Sequence, residues 1–217
     1  MRKHKRMTDK QKSILFSVIG IVITMAFLFP IYWMLTTAIR RPGETFMNPT
    51  FFPRSFSLDA FKIEAHSGVG LFTYMKNSVI IAFSATAIGI VLSVPASYGL
   101  ARFKTKFVAI LLFVFLVAQM LPSSLILTPL FMTFKKVGIL NNYLSAILSD
   151  ATLTIPFSVI VLRSYFKDIP KELDEAATID GCNAWQTFLK VMLPICKPGV
   201  ATAVAMSLFM AWGDMVF

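Results

Sequence analysis

Long apolar stretches, each able to cross a lipid bilayer, constrain this sequence more than any other feature. They lie at about 13–39, 74–100, 107–131, 143–165 and 198–217. A helix of about 20 apolar residues spans the hydrocarbon core of a membrane and satisfies its own backbone there. With 56% hydrophobic and 15% charged residues, the chain of 217 residues is too apolar for a soluble domain. The sequence therefore predicts an all-α integral membrane protein, a helical bundle with five transmembrane spans.

Proline, glycine and asparagine residues predict where these helices bend and end. Prolines lie inside the first four stretches, where we expect kinks or breaks; they are Pro30, Pro95, Pro122, Pro129 and Pro156. Between the third and fourth stretches, Gly138 can end one helix and Asn141 or Asn142 can cap the next. The first stretch follows a basic tail, 1–12, and is longer than the apolar region of a signal peptide. We expect it to stay in the mature protein as the first span.

The basic residues indicate the topology. The net charge is +10, yet no compact basic patch with interleaved aromatics suggests nucleic acid as a partner. If the N-terminus is inside, fourteen of the Lys and Arg residues fall in inner segments and seven in outer ones. The outer ones are Arg40, Arg41, Arg54, Lys62, Lys76, Lys135 and Lys136. This bias follows the positive-inside rule and predicts a multi-pass membrane protein with a cytoplasmic N-terminus.

One polar segment, 166–197, separates the fourth and fifth stretches and is predicted to be a cytosolic helix-turn-helix. Pro170 can open its first helix, and Gly181 can end that helix in the left-handed conformation. A second amphipathic helix follows, with apolar residues at i, i+3, i+4 and i+7, namely Trp185, Phe188, Leu189 and Met192. Pro194 is expected to close it. We call this segment the signature loop.

The signature loop resembles that of the permease subunits of bacterial carbohydrate ABC importers of the maltose type. Glu175-Ala176-Ala177 is followed by three residues, Gly181, nine residues and then 191–194, Val-Met-Leu-Pro. In that family the pattern is E-A-A, three residues, G, nine residues and I-x-L-P, so Val191 is the one departure. The second stretch also ends in 100–103, Leu-Ala-Arg-Phe, which is similar to the family's common ending. The stretch 212–214, Trp-Gly-Asp, resembles the family's W-N-E/D in the fifth helix.

The resemblance implies a set of partners and site residues. The domain 13–217 would pair with a second homologous permease, a cytosolic ATPase dimer and an extracytoplasmic solute-binding protein. The loop would dock on the ATPase through Glu175, Ala176, Ala177, Asp180, Gly181 and Pro194. This chain would catalyse nothing and bind no cofactor, because ATP and Mg²⁺ are used by the partner and no phosphate-binding loop occurs here. Since the family continues to a sixth helix, we expect the sequence to be truncated.

Three polar residues inside the apolar stretches are candidates for a sugar path: Gln119, Asp150 and Asp214. Polar groups in the bilayer are costly, a charge costing about 2.5–3.5 kcal/mol at the helix centre. Carboxylates and amides hydrogen-bond well to sugar hydroxyls. The alternative is that these side chains join helices to one another.

Other functions are left open by the residues alone. An ABC permease for another solute, such as an amino acid or phosphonate, has the same loop. A proton-coupled secondary carrier could use Asp150 and Asp214 as proton sites, and a purely structural membrane subunit is a third alternative. No metal-ligand spacing is visible, and a disulfide between Cys182 and Cys196 is not expected in a reducing compartment.

Overall fold

The computed structural model describes residues 8–41, 43–44, 50–53, 55–59, 61–62, 70–103 and 106–214. Its helices are α1 (Asp9–Ala38), α2 (Leu71–Arg102), α3 (Lys106–Met120), α4 (Ser123–Val137), α5 (Tyr143–Asp168), α6 (Glu172–Ile179), α7 (Ala184–Thr187), α8 (Leu193–Ile195) and α9 (Lys197–Gly213). A π turn, Phe188–Met192, joins α7 to α8. The all-α class is confirmed, and the described part of the chain contains no strand. The part of the basic tail before Thr8 lies outside the described residues.

The chain divides into two compact units, residues 1–74 and 75–217. In the first, the segment after α1 folds back onto the end of that helix. Arg40, only 1% exposed, donates to the carbonyl of Thr50, and its guanidinium lies 5.4 Å from the ring centroid of Trp33. The hydroxyl of Tyr32 donates to the carbonyl of Phe51 at 2.6 Å. The rest of α1 presents apolar side chains on all sides, as expected of a helix surrounded by lipid or by other spans.

The second unit is built around α5, which packs against α3, α4 and α9. Ser93 of α2 also donates to the backbone carbonyl of Ile155, at 3.3 Å. Ten residues of α5 are buried, and of the polar ones among them Ser158 is hydrogen-bonded to Ser207 of α9. Within α5, Asn142 caps the N-terminus by accepting from the amide of Leu144, as the sequence predicts. Gly138 ends α4 with a φ of +78°.

Small residues allow α5 and α9 to approach closely. The buried residues of α9 recur every four positions, so they form one stripe; they are Gly199, Ala203, Ser207 and Ala211. The hydroxyls of Ser158 and Ser207 are hydrogen-bonded at 2.7 Å in the interface. A Cβ on Gly199 would lie 2.5 Å from Cγ of Tyr165, so any larger residue would push the helices apart. This is the small-residue packing typical of membrane helices.

The predicted third span, 107–131, is not one continuous helix. The chain breaks between α3 and α4 and bends there by 103°. The reason is Pro122, which has no N–H to donate and disfavours the helical conformation at Leu121. Pro129, where a second interruption was predicted, lies inside α4. Among the described residues, three helices are long and apolar enough to cross a membrane, or up to five if each bent pair counts as one span.

Candidate functional site: the signature loop and a polar cavity

The first helix of the signature loop is α6, and its ends match the sequence pattern. Three acidic residues occupy its first turn, where they complement the positive end of the helix dipole. At its other end Gly181 has a φ of +85°. That conformation lets the amide of Cys182 donate to the carbonyl of Ala177 at 2.9 Å, which satisfies a terminal carbonyl of α6. A side chain at this position would be strained even though the surrounding space is open.

The second helix of the loop differs from the prediction. Asn183 and Gln186 cap its start reciprocally, each side chain accepting from the other residue's amide. The π turn that follows has more residues per turn than an α-helix, so residues at i, i+3 and i+4 no longer share one buried face. As a result Phe188 and Met192 are buried, whereas Trp185 and Leu189 are exposed.

Pro194 does not close this second helix, as the sequence suggested it would. It lies within α8, and the helical chain ends at Cys196. The second bend, of 75°, follows there and leads into α9. Pro194 is exposed in this position.

A charged contact anchors α6 to the end of α2. The Nε atom of Arg102 lies 2.7 Å from Oδ2 of Asp174, as an ion pair rather than an aligned hydrogen bond. The hydroxyl of Tyr98 donates to Oδ1 of the same carboxylate at 2.7 Å. Both oxygens of Asp174 are therefore engaged by residues one turn apart on α2. We call Tyr98, Arg102 and Asp174 the latch.

Arg102 also binds the end of α5. Its Nη1 donates to the carbonyls of Phe166 at 3.0 Å and Ile169 at 3.2 Å. Terminal carbonyls of a helix have no partner within the helix and favour a cation. One guanidinium thus joins α2, α5 and α6, whereas the sequence analysis placed Arg102 only among the inner basic residues and in the Leu-Ala-Arg-Phe ending that resembles the family's. The signal that could have identified it is a tyrosine one turn before an arginine at a helix end.

An apolar cluster supports the latch from inside the loop. It joins residues of α2, α5, the loop and α9, namely Val94, Leu162, Phe166, Ile169, Phe188, Met192, Cys196 and Ala203. The ring of Tyr98 lies 5.5 Å from that of Phe166 and 5.2 Å from that of Phe188, measured between centroids. The signature loop is therefore packed onto the bundle rather than suspended from it.

Other residues of the loop expose large apolar side chains. Ile179 is 86% exposed, Trp185 61% and Leu189 43%. Of the two alanines in the E-A-A pattern, Ala176 is exposed and Ala177 is buried against the bundle. The residues predicted to couple to the ATPase are also exposed apart from Ala177, namely Glu175, Ala176, Asp180, Gly181 and Pro194. We call these exposed residues of the loop, apolar and polar together, the docking face.

Two of the three candidate residues for a sugar path meet at one cavity. This cavity, of about 520 Å³, is lined by Asp150 of α5 and by Asp214, which follows α9. Ser123 and Thr154 also line it. Gln119 is not among the lining residues, and its Nε2 donates to the carbonyl of Leu153 at 2.9 Å. It therefore joins α3 to α5, which is the alternative role that the sequence left open.

Comparison with known proteins decides the family. Residues 89–217, more than half of the chain, match the family described as binding-protein-dependent transport system inner membrane component. The chain belongs to this family. The matched residues include both the signature loop and the cavity. Membership places the chain among multi-pass inner membrane transport components rather than among enzymes.

Individual relatives within this family include permeases named for sugars. The chain is 34% identical to the sulfoquinovosyl glycerol transport system permease protein SmoH of Agrobacterium fabrum, over 87% of this chain and 66% of SmoH. It is 30% identical to the diacetylchitobiose uptake system permease protein DasC of Streptomyces coelicolor, over 92% of this chain and 72% of DasC. The chain thus spans about two thirds of the length of these relatives. They confirm the resemblance to carbohydrate ABC importer permeases.

A solved structure has the same fold. It is the crystal structure of a bacterial ABC transporter that imports the acidic polysaccharide alginate, with a TM-score of 0.78. The match covers 98% of this chain and 75% of the other, at 21% identity. This likeness establishes the fold of the helical bundle.

Proposed function

We propose that this chain is the membrane-spanning permease subunit of an ATP-driven importer that carries a sugar or oligosaccharide inward. The docking face is the observation on which this proposal rests. Three large apolar side chains outside the apolar spans, Ile179, Trp185 and Leu189, are exposed to water without cover. Burying each fully would contribute about 1.5–3 kcal/mol, so a protein partner at this surface is strongly favoured.

The partner we propose for the docking face is a cytosolic ATPase dimer. In that assembly ATP and Mg²⁺ are bound by the ATPase, and this chain contributes no catalytic group and no cofactor. Glu175 lies exposed in the first turn of α6, where a basic group of the ATPase can pair with it. A second homologous permease and an extracytoplasmic binding protein complete the importer. The membrane orientation that this requires, with a cytoplasmic N-terminus, agrees with the distribution of basic residues.

The rigid connection between loop and bundle supports a role in transmitting motion. The latch holds α6 against α2, and Arg102 of the latch also binds the end of α5, so a displacement of α6 would move the ends of both helices. α5 also carries Asp150 at the cavity. A movement imposed by the ATPase would thus reach the cavity through one continuous helix.

The relatives' names support a sugar as the cargo. SmoH and DasC are named for a glycosyl glycerol and a disaccharide derivative, and a further relative is the trehalose transport system permease protein SugB. We propose that Asp150 and Asp214 line the sugar path and that Gln119 holds α3 beside it. A proton-coupled carrier could use the same carboxylates, but the docking face would then have no purpose.

Two substitutions on the docking face test the proposal. We expect Gly181→Val to strain α6 at a φ of +85° and Glu175→Lys to reverse the charge offered to the ATPase. Either change should reduce co-purification of the ATPase and uncouple ATP hydrolysis from transport. Gly138→Val is the matched control, because Gly138 also has a positive φ and open surroundings but precedes α5 at the end opposite the loop. Full ATPase binding and coupling in both docking-face variants would contradict the proposal.

A further inference from the structure

A second cavity lies between α4 and α5, and the proposed function assigns it no role. Its volume is about 340 Å³. One wall is an apolar stripe of α4 whose residues recur at i, i+3, i+4 and i+7, namely Leu127, Leu130, Phe131 and Phe134. Leu127 is 38% exposed and Phe131 49%, so the described part of the chain leaves this wall partly uncovered. We call the cavity the α4–α5 groove.

The facing wall of the groove is polar although it belongs to a membrane helix. Asn142, Ser145 and Ser149 line it from the N-terminal end of α5. Ser149 is only 2% exposed, and no hydrogen bond to its hydroxyl is found in the part of the chain that the structure describes. A buried hydroxyl without a partner is uncommon in folded proteins. Asn142 caps α5 with its Oδ1, which leaves its amide nitrogen to donate. The groove therefore presents hydrogen-bond donors opposite an apolar wall.

Positive charge lies at the end of the groove that the predicted topology places outward. Lys135 and Lys136 occupy the last turn of α4, directly after Phe134, and both are exposed. Neither of them forms an ion pair among the described residues. The sequence has no acidic residue from 121 to 149, and Asp150 lines the other cavity. A negative group on a ligand is therefore favoured at this end of the groove.

We propose that the α4–α5 groove binds an anionic phospholipid of the outer leaflet. An acyl chain packs on the apolar wall of α4, the ester oxygens accept from Ser149 and Asn142, and the phosphate pairs with Lys135 and Lys136. A neutral saccharide offers no charge to the two lysines and no hydrocarbon chain to the exposed wall. This inference is independent of the proposed function, because it concerns the lipid around the protein and not the cargo.

The lipid would also support α4, which has little other support. Of the residues of α4, all of which the structure describes, Phe134 alone is buried. A helix with few buried contacts opens readily, so its amides exchange with solvent faster than those of a packed helix. Binding of a lipid along the stripe of α4 should therefore slow this exchange.

Native mass spectrometry of the purified protein measures lipid binding directly. The protein is titrated in detergent with phosphatidylglycerol, which is anionic, or with phosphatidylcholine, which has the same glycerol and ester groups but no net charge. We expect phosphatidylglycerol to bind about tenfold more tightly, as one partly exposed charge-assisted contact predicts. Hydrogen–deuterium exchange of the same samples locates the lipid, since exchange should slow in α4 and not in α9. Glycerol phosphate, which has no acyl chains, should leave exchange in α4 unchanged.

Variants of the groove test each part of the proposal. Lys135→Gln combined with Lys136→Gln should lower the affinity for phosphatidylglycerol to that for phosphatidylcholine. Lys10→Gln combined with Lys12→Gln, at exposed positions of α1, removes the same charge and should retain the preference. Ser149→Ala should weaken the binding of both lipids by about threefold, because the ester oxygens lose one donor.

A further variant blocks the groove itself. Ala146 also lines the groove, so Ala146→Phe should fill it and abolish the effect of phosphatidylglycerol on exchange in α4. If this variant does not fold, the lysine and Ser149→Ala variants decide the matter.

Several outcomes would overturn the inference. Equal affinities for the two lipids, or a preference that survives in the variant lacking both lysines of α4, would exclude an anionic lipid at this site. Exchange in α4 that is slowed by a disaccharide such as maltose and not by lipid would make the groove a saccharide site. Exchange that is slow only in a dimer of the protein, with or without lipid, would show that a second copy covers the groove. No effect of any of these probes would show that the groove binds none of them.

Discussion

Replacing Arg102 by methionine should release α6 from the bundle. The change keeps most of the side-chain length but removes the ion pair to Asp174 and the donations to Phe166 and Ile169. Breaking a fully buried ion pair costs about 3–5 kcal/mol. Here the side chains of Arg102 and Asp174 are 14% and 22% exposed, so water can reach the carboxylate that is left unpaired. We therefore expect a loss of stability of about 2–3 kcal/mol.

The effect should be local, because the latch holds α6 while the apolar cluster still packs the π turn. A loss of about 2–3 kcal/mol raises the open population of α6 by about 30- to 150-fold, which hydrogen–deuterium exchange detects directly. The assay compares the exchange of amides in α6 and in α9 of the purified protein. Lys167→Met, at an exposed position near the end of α5, is the control and should exchange like the unmodified protein.

A second substitution in the latch, Asp174→Asn, should have a smaller effect on α6. Its one amide oxygen can accept from Tyr98 or from Arg102 but not from both, so part of the latch remains and we expect a smaller loss of about 1 kcal/mol. Exchange in α6 that is unchanged in Arg102→Met would refute the reasoning, because the latch would then contribute nothing to the position of the loop. An equal increase in α6 and α9 would also refute it, since the effect would be global.

Two further predictions concern packing and accessibility. Gly199→Leu should lower the thermal unfolding temperature of the solubilised protein, because the larger side chain forces α9 away from Tyr165. Gly213→Ala is the control and should leave this temperature unchanged, because its Cβ would meet nothing within 4 Å. Similar unfolding temperatures for both variants would contradict the close approach of α9 to Tyr165. Burial raises the pKa of the Cys196 thiol, so this thiol stays protonated and unreactive at neutral pH. Alkylation followed by mass spectrometry should therefore find Cys182 modified first, and Cys196 modified only at higher pH or after unfolding. Equal rates at the two thiols would show that the loop does not pack on the bundle as described.

The sequence predicted the features that depend on neighbours along the chain. Gly138 and Gly181 take the left-handed conformation, and Asn142 caps α5, because these residues have special backbone or hydrogen-bonding properties of their own. The break at Pro122 follows from the same kind of local chemistry. The all-α class followed from the length of the apolar stretches, since the membrane allows few other structures.

Features that depend on distant residues could not be predicted. Arg102 and Asp174 are far apart in the sequence, and each has a satisfactory local explanation as a residue at a helix end. The π turn was missed because its sequence, Phe188–Met192, is equally compatible with an α-helix, and packing against the bundle decides between them. Asp150 and Asp214 were each chosen singly as polar residues in apolar stretches. That they share one cavity became visible only in the structure.

Energy dependence of sugar uptake tests most directly whether this chain is the permease of an ATP-driven importer. The importer, with this chain, its partner permease, the ATPase and the binding protein, is reconstituted in vesicles under two conditions. In the first ATP is present on the ATPase side with a protonophore, and in the second a proton gradient is imposed without ATP. We predict uptake in the first condition only, and its loss in Gly181→Val. Uptake driven by the proton gradient alone would contradict the proposed function and favour a carrier that uses Asp150 and Asp214 as proton sites.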